Sequence, residues 1–312
     1  MSDNAPALCR TEASDADVHA HNLRNWQQQY DQLSDGRFYG RIDELAFEQL
    51  QIFCEYTSQA LLQQCNVWPD SVWLGFAAND SECRINGERV AADQIMVRPG
   101  HCDFELTTPA EFDIYGVVIS QPALLQCADT LGIELDARAW LQPRKQWQLQ
   151  QLNALRYMVQ RWLTPMHTGV GGRLQQELLF TTVLEVLQQP SVREQRRSSY
   201  GRRRAVVERI QAYVEAHPHA PITITELCQL THVSRRTLQY SFEAVLNMSP
   251  QRYVRITRLN GVRRQLLLAS ADEGLLISRV AAEWGFWHAG QFGHDYKQLF
   301  GERPSDTLQR CV

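Results

Sequence analysis

The sequence predicts an α+β chain: an N-terminal β-rich barrel or sandwich with two or more helices, then an all-α domain built as a double helix-turn-helix. Three observations carry this prediction. Charge is divided along the 312 residues: Arg196–Val312 holds 17 Lys and Arg against 10 Asp and Glu, and residues 1–195 hold the other 14 basic and 25 acidic groups. From Phe38 to about Ser120, short β-branched and aromatic runs alternate with turn residues. In the basic half, an apolar pattern recurs after 53 to 54 residues. At roughly 150 residues per domain the length suggests two domains. The expected division is a first domain over 1–190, a linker over 191–201 and a second domain over 202–312.

The first domain is expected to be β-rich to about residue 120 and helical after it. Val72–Phe76, Cys102–Leu106 and Phe112–Ile119 read as strands. In the second of these, Cys102, Phe104 and Leu106 share one face and Asp103 and Glu105 the other. Turn signals separate them at Trp68–Ser71, Ile85–Gly87, Arg98–Gly100 and Thr107–Pro109. Leu152, Leu155, Val159 and Trp162 then fall at helical spacing. A further helix is expected over Arg173–Gln188. This helix pair either closes the domain's own core or pairs with a second copy, making a homodimer; the pattern leaves both readings open. Pro190–Gly201, rich in Ser and Arg without apolar periodicity, reads as the linker.

In the basic half, Ile224, Leu227 and Cys228 recur as Ile277, Val280 and Ala281. Leu238, Phe242, Leu246 and Pro250 recur as Phe292, Tyr296, Phe300 and Pro304. The offset changes by one residue in the short connection, so each copy reads as helix, tight turn, helix. The small residue, Cys228 or Ala281, lets the second helix cross close to the first. The turn needs a positive φ, which Gly285 supplies freely and which His232 tolerates better than most residues. Ser234 suits the N-cap of the following helix. This is the arrangement whose second helix enters the DNA major groove.

The solvent stripe of the first such helix is Arg235, Arg236, Gln239 and Tyr240. Arg reads guanine bidentately and Gln reads adenine. In the second copy Ala289, Gly290 and Gly293 replace the first three, which leaves Gln291 and His294 as readers. Two glycines inside a helix cost about 1 kcal/mol each relative to Ala, so most base discrimination is expected from the first copy. Pro250–Leu268 reads as a rigid connecting helix, with Tyr253, Ile256, Leu259, Val262 and Leu266 inward. Its arginines 252, 255, 258, 263 and 264 divide between phosphate contacts and intramolecular partners. Such a helix lets one chain address two groove segments about one turn, roughly 34 Å, apart.

The stretch Arg202–Gln309 resembles the AraC family of bacterial transcription regulators. The likeness rests on Ile277–Phe286 (ISRVAAEWGF), Gln291–Phe292, Tyr296–Lys297, Leu299–Gly301 and Pro304–Ser305. It implies promoter binding to double-stranded DNA, with no cofactor required, and activation through RNA polymerase. Trp26–Tyr30, Val67–Ser71, Arg98–Gly100, Phe104–Leu106, Gly116–Val118, Val233–Gln239 and Trp284–His288 are similar to regulators of ethanolamine-utilisation operons. That likeness implies ethanolamine together with adenosylcobalamin as effectors. The Asp-x-His-x-x-Gly fingerprint of one cobalamin-binding fold is absent, so a cobalamin site here is of another kind. Trp68, Trp73, Glu105 and Tyr115 are the candidate effector-binding residues, because an amine favours an aromatic face beside a carboxylate.

Other classes fit poorly. Metal-dependent oxygenase chemistry in a β-barrel needs clustered His and carboxylate ligands, and the strand region offers only His101. No Ser-His-Asp grouping, phosphate loop or cysteine cluster stands out, so no catalytic residue and no metal site is assigned. The polar N-terminus shows no secretory signal, and no run of about 18 apolar residues suggests a membrane span. The eight cysteines form no Cys-x-x-Cys pair. They read as reduced, inert thiols of a cytoplasmic protein.

Overall fold

The computed structural model describes residues 7–135, 144–146, 149–164, 172–189, 198–268 and 277–309. The chain divides into two compact units, Met1–Tyr30 with Phe38–Arg193, and Asp31–Arg37 with Glu194–Val312.

The first unit opens with β1 (Cys9–Ala13), α1 (Ala16–Ala20), β2 (Gln27–Gln32), β3 (Gly40–Ala46), β4 (Leu50–Thr57) and β5 (Leu61–Asn66). It continues through β6 (Ser71–Ala77), β7 (Cys83–Ile85), β8 (Glu88–Val90), β9 (Gln94–Pro99), β10 (Phe104–Thr108) and β11 (Phe112–Ser120). Then come α2 (Gln121–Thr130), β12 (Arg144–Gln146), α3 (Leu149–Trp162) and α4 (Gly172–Gln188). The strands form two sheets, β1-β3-β4-β11-β6-β9-β12 and β2-β5-β10-β7-β8. Of the two expected architectures this is the sandwich; the sheets do not close into a barrel. The strand-rich region also begins before Phe38, and β12 lies beyond residue 120.

Alternation explains the layering. On β6, Trp73 and Ala77 face the cluster shared by both sheets, while Val72, Leu74 and Phe76 face the helices. On β11, Phe112, Ile114 and Val118 point one way and Tyr115, Val117 and Ile119 the other. With both faces covered, all seven residues of β6 are buried, which is why its sequence reads as a continuous apolar run. Leu152, Leu155 and Val159 of α3 are buried in the helix-side cluster, so this stripe closes the unit's own core. β10 starts two residues later than expected, at Phe104, and keeps the expected alternation.

Two paired glycines shape the sheet. Gly75 and Gly116 are cross-strand neighbours. A Cβ on Gly75 would stand 2.0 Å from the Trp73 ring, and one on Gly116 would stand 2.1 Å from the Phe53 ring. The bare backbone there gives two aromatic rings a surface to lie on.

The second unit contains α5 (Ser198–Ala216), α6 (Ile224–Thr231), α7 (Arg235–Leu246), α8 (Pro250–Leu268), α9 (Ile277–Glu283), α10 (Ala289–Phe300) and α11 (Pro304–Gln309). α5 begins inside the stretch read as linker, because the Arg-rich run after Gly201 favours helix. The remainder of that linker, residues 190–197, lies outside the described residues. Val207, Ile210 and Val214 of α5 are buried, as are Tyr253, Ile256, Leu259, Val262 and Leu266 of α8. No helix among the described residues is long and apolar enough to cross a membrane.

Candidate nucleic-acid interface

The 53-to-54-residue repeat is reproduced in the backbone. α6 and α9 are the first helices of the two copies, and α7 and α10, both 12 residues long, are the second. Both turns close in the same way: Val233 N–H donates to Cys228 O at 3.2 Å, and Phe286 N–H to Ala281 O at 2.8 Å. Their left-handed residues are His232 (φ 53°) and Gly285 (φ 81°). Both second helices also end in left-handed residues, Asn247 and Gly301, each followed by a helix that starts on proline.

Local chemistry sets the reading helices. Thr223 and Glu226 form a reciprocal capping box at the start of α6. Ser234 Oγ accepts from Thr237 N–H at 3.2 Å, which starts α7 immediately before Arg235 and Arg236. Leu238, Phe242, Val245 and Leu246 are buried. Arg235, Arg236, Gln239 and Tyr240 are all exposed, on the opposite side of the same helix. Arg236 donates to Tyr240 Oη at 3.1 Å and lies 5.3 Å from its ring centre. The guanidinium is therefore held over the ring before any DNA arrives.

The second copy is poorer in donors. Gln291 and His294 are exposed, but the Gln291 carboxamide already donates to Asp295 at 2.7 Å. Gly290 and Gly293 have open space where a side chain would be. His288 caps α10 without a side-chain hydrogen bond. Beside this head lies a cleft of about 620 Å³ whose lining includes Ala281, Phe286, Trp287, Phe292, Lys297 and Arg303. Trp287 is 74% exposed.

Each of the five arginines of α8 has an intramolecular partner. Arg252 pairs with Asp35 at 3.3 Å, Arg255 with Asp295 at 3.4 Å, Arg263 with Glu302 at 2.9 Å and Arg264 with Asp31 at 2.6 Å. Arg258 donates to Ala220 O, and burial lowers its pKa from the usual value. Each arginine of α8 thus has a partner within the unit, while Arg235 and Arg236 at the start of α7 are exposed.

The effector candidates are not brought together. Trp73 is in the cluster between the sheets, with Trp68 packed against it. Tyr115 is in the cluster on the opposite face of the larger sheet, where burial raises its pKa to about 12. Glu105 alternates with the buried Phe104 and Leu106 along β10 and accepts from Gln64 at 3.3 Å. These four residues lie on three different faces and do not line one site. Sequence reasoning passed over two buried polar groupings. Gln51 accepts from the indoles of Trp26 and Trp68 at 3.0 and 3.3 Å and donates to Glu44 at 2.8 Å. Tyr30 donates to Glu55 at 3.0 Å, and His19 Nε2 stands at the same distance from that carboxylate without hydrogen-bond geometry. Their members come from separate strands, loops and α1 and leave no local spacing to read. Among the described residues no group of three or more His, Cys, Asp or Glu is placed to hold a metal.

A family model described as a helix-turn-helix domain matches residues 227–310. The XylDLEGF operon transcriptional activator 2 of Pseudomonas putida is 33% identical over 109 residues, covering 34% of this chain and 69% of its own length. A probable thc operon regulatory protein of Rhodococcus erythropolis is 40% identical over 98 residues, 31% of this chain; the match spans only 29% of that relative's length. Among solved structures, a probable AraC family transcriptional regulator from Rhodopseudomonas palustris is 33% identical and covers 34% of this chain and 97% of its own, with a TM-score of 0.32.

Proposed function

The chain belongs to the AraC family of DNA-binding transcription regulators, and from that premise we propose that it is an effector-dependent activator reading DNA mainly through α7. The observation that carries the reading is the exposed stripe Arg235, Arg236, Gln239 and Tyr240 on a helix whose buried face is Leu238, Ser241, Phe242, Val245 and Leu246. Arg and Gln on a helix of this geometry discriminate guanine and adenine in the major groove. The second head, with Gln291 and His294, adds affinity and a second groove segment about one helical turn away. Activation is supported by relatives whose names describe transcriptional activators, and an activator needs RNA polymerase as a partner. DNA as the bound partner supports a cytoplasmic location.

The first unit is the sensing part of this reading. Ethanolamine with adenosylcobalamin is the effector pair named by the sequence resemblance, and the resemblance alone supports it. Exposed Leu125, Leu149, Tyr157 and Leu178 on its helices support pairing with a second copy.

Selection of random-sequence duplexes by the full chain tests the DNA reading. Recovery of one consensus whose affinity falls steeply with salt is expected; recovery of no consensus overturns it. Calorimetric titration with ethanolamine, with and without adenosylcobalamin, tests the effector. No heat in either titration overturns that identity and leaves the DNA reading intact.

A further inference from the structure

Asp31–Arg37 takes in the last two residues of β2 and part of the connection to β3, yet it packs as part of the second unit. Its attachment is specific. The buried Asn260 side chain grips the Gln32 backbone from both sides: Gln32 N–H donates to Asn260 Oδ1 at 3.0 Å, and Asn260 Nδ2 donates to Gln32 O at 3.1 Å. Gln32, itself 2% exposed, sends its carboxamide to Leu299 O at 2.6 Å and to Gly36 O at 2.7 Å. Gly36 N–H also donates to Leu299 O, at 3.0 Å. Its φ of 128° is open to glycine and strained for other residues. One carboxylate completes the bridge: Asp35 Oδ1 accepts from Arg252 at 3.3 Å and Oδ2 from Gln298 at 2.7 Å.

These partners lie on two helices. Arg252, Asn260 and Arg264 lie on the connecting helix α8, spread over about 18 Å of its length at 1.5 Å per residue. Gln298 and Leu299 lie in the last turn of α10, the second reading helix. The segment therefore fastens the end of the second head to the helix that separates the two heads. Leu299 O is one of the terminal carbonyls that a helix cannot satisfy internally, and here the strap supplies two donors for it.

We propose that Asp31–Arg37 is a coupling strap, which fixes the spacing of the two reading heads and ties that spacing to strands β2 and β3. The tie is covalent. Tyr30, fully buried and bonded to Glu55, is directly followed by Asp31, and buried Phe38 directly follows Arg37. A shift of either strand pulls on the strap without passing through any other contact. The inference rests on the DNA reading above.

The experiment compares the full-length wild type with Asn260→Ala, Asp35→Ala and Tyr30→Phe, using selection from random-sequence duplexes and hydrogen exchange at the Gln32 and Gly36 amides. The wild type is expected to select two sequence elements at one fixed spacing. Asn260→Ala and Asp35→Ala should accept several spacings and bind the wild-type consensus about tenfold more weakly, a loss of about 1.4 kcal/mol. Tyr30→Phe should raise exchange at both strap amides several-fold. Should Asn260→Ala fail to fold, Asp35→Ala decides alone, because that side chain is 38% exposed and supports no core. Unchanged spacing and affinity in Asp35→Ala overturn the strap, and unchanged strap exchange in Tyr30→Phe overturns its tie to the strands. A wild type that selects no duplex overturns the DNA reading itself.

Discussion

His232 and Gly285 stand 53 residues apart in sequence and occupy the same turn of the two helix-turn-helix copies, both with left-handed backbones. A Cβ on Gly285 would stand 3.1 Å from Arg258 Nη1, a flexible group that can yield, so backbone strain dominates the cost of substitution. Gly285→Val is expected to destabilise the second unit by about 1–3 kcal/mol. His232→Gly should stay within about 1 kcal/mol of wild type, since relief of strain offsets the added freedom of the unfolded chain. Urea unfolding of both variants checks this pair.

That turn was legible in the sequence because the repeat aligned a histidine with a glycine, and few residues other than glycine accept a positive φ. The exposure of Arg235, Arg236 and Gln239 was legible for a related reason: Leu238 and Phe242 fix the inner face of the helix. Whether the four effector candidates share one site was not legible. Strand alternation tells which residues share a face within one strand, but not which of two faces a neighbouring strand offers. Trp73 and Tyr115 therefore looked compatible and lie on opposite sides of one sheet. The choice of sandwich over barrel depends on which strands pair at the sheet edges, and composition does not encode that. The strap was also invisible, because its partners lie more than 200 residues away.

Glu302 and Arg263 form a buried ion pair at 2.9 Å, with both side chains less than a tenth exposed. The Arg263 guanidinium also lies 4.6 Å from the Phe300 ring centre, and Thr307 donates to Glu302 at 2.8 Å. Removing one partner leaves the other charge buried and uncompensated. Glu302→Ala should therefore cost about 3–5 kcal/mol, read as a lower urea midpoint for the second unit.

Asp31 has its pKa raised by burial, against the lowering effect of Arg264; Glu215 is raised likewise by burial and then by Asp31. The folded state thus holds these protons more tightly than the unfolded one. Their contribution to stability is present below the unfolded carboxylate range, near pH 4, and is lost as pH rises through the raised values. Asp31→Asn should flatten this decline; an unchanged slope in thermal unfolding across that window would refute it.

Burial raises the pKa of Cys54 and of Cys83 to about 12, and pushes the Cys65 thiol up as well. At pH 8 these side chains are thiols, which are poor nucleophiles. Native protein treated with iodoacetamide should show no label at the three positions by mass spectrometry, and full label after unfolding. Rapid native labelling of Cys65 would mean that the cluster between the sheets opens easily.

The central claim is that α7 reads DNA sequence, and the most direct test is fluorescence-anisotropy titration of a selected and a scrambled duplex across a range of salt concentrations. Wild type should prefer the selected duplex, with affinity falling steeply as salt rises. Arg236→Ala with Gln239→Ala should lose about 1–3 kcal/mol of discrimination per contact while retaining salt-sensitive binding to both duplexes. An unchanged preference in that double variant, with preference abolished instead by His294→Ala, would contradict the account.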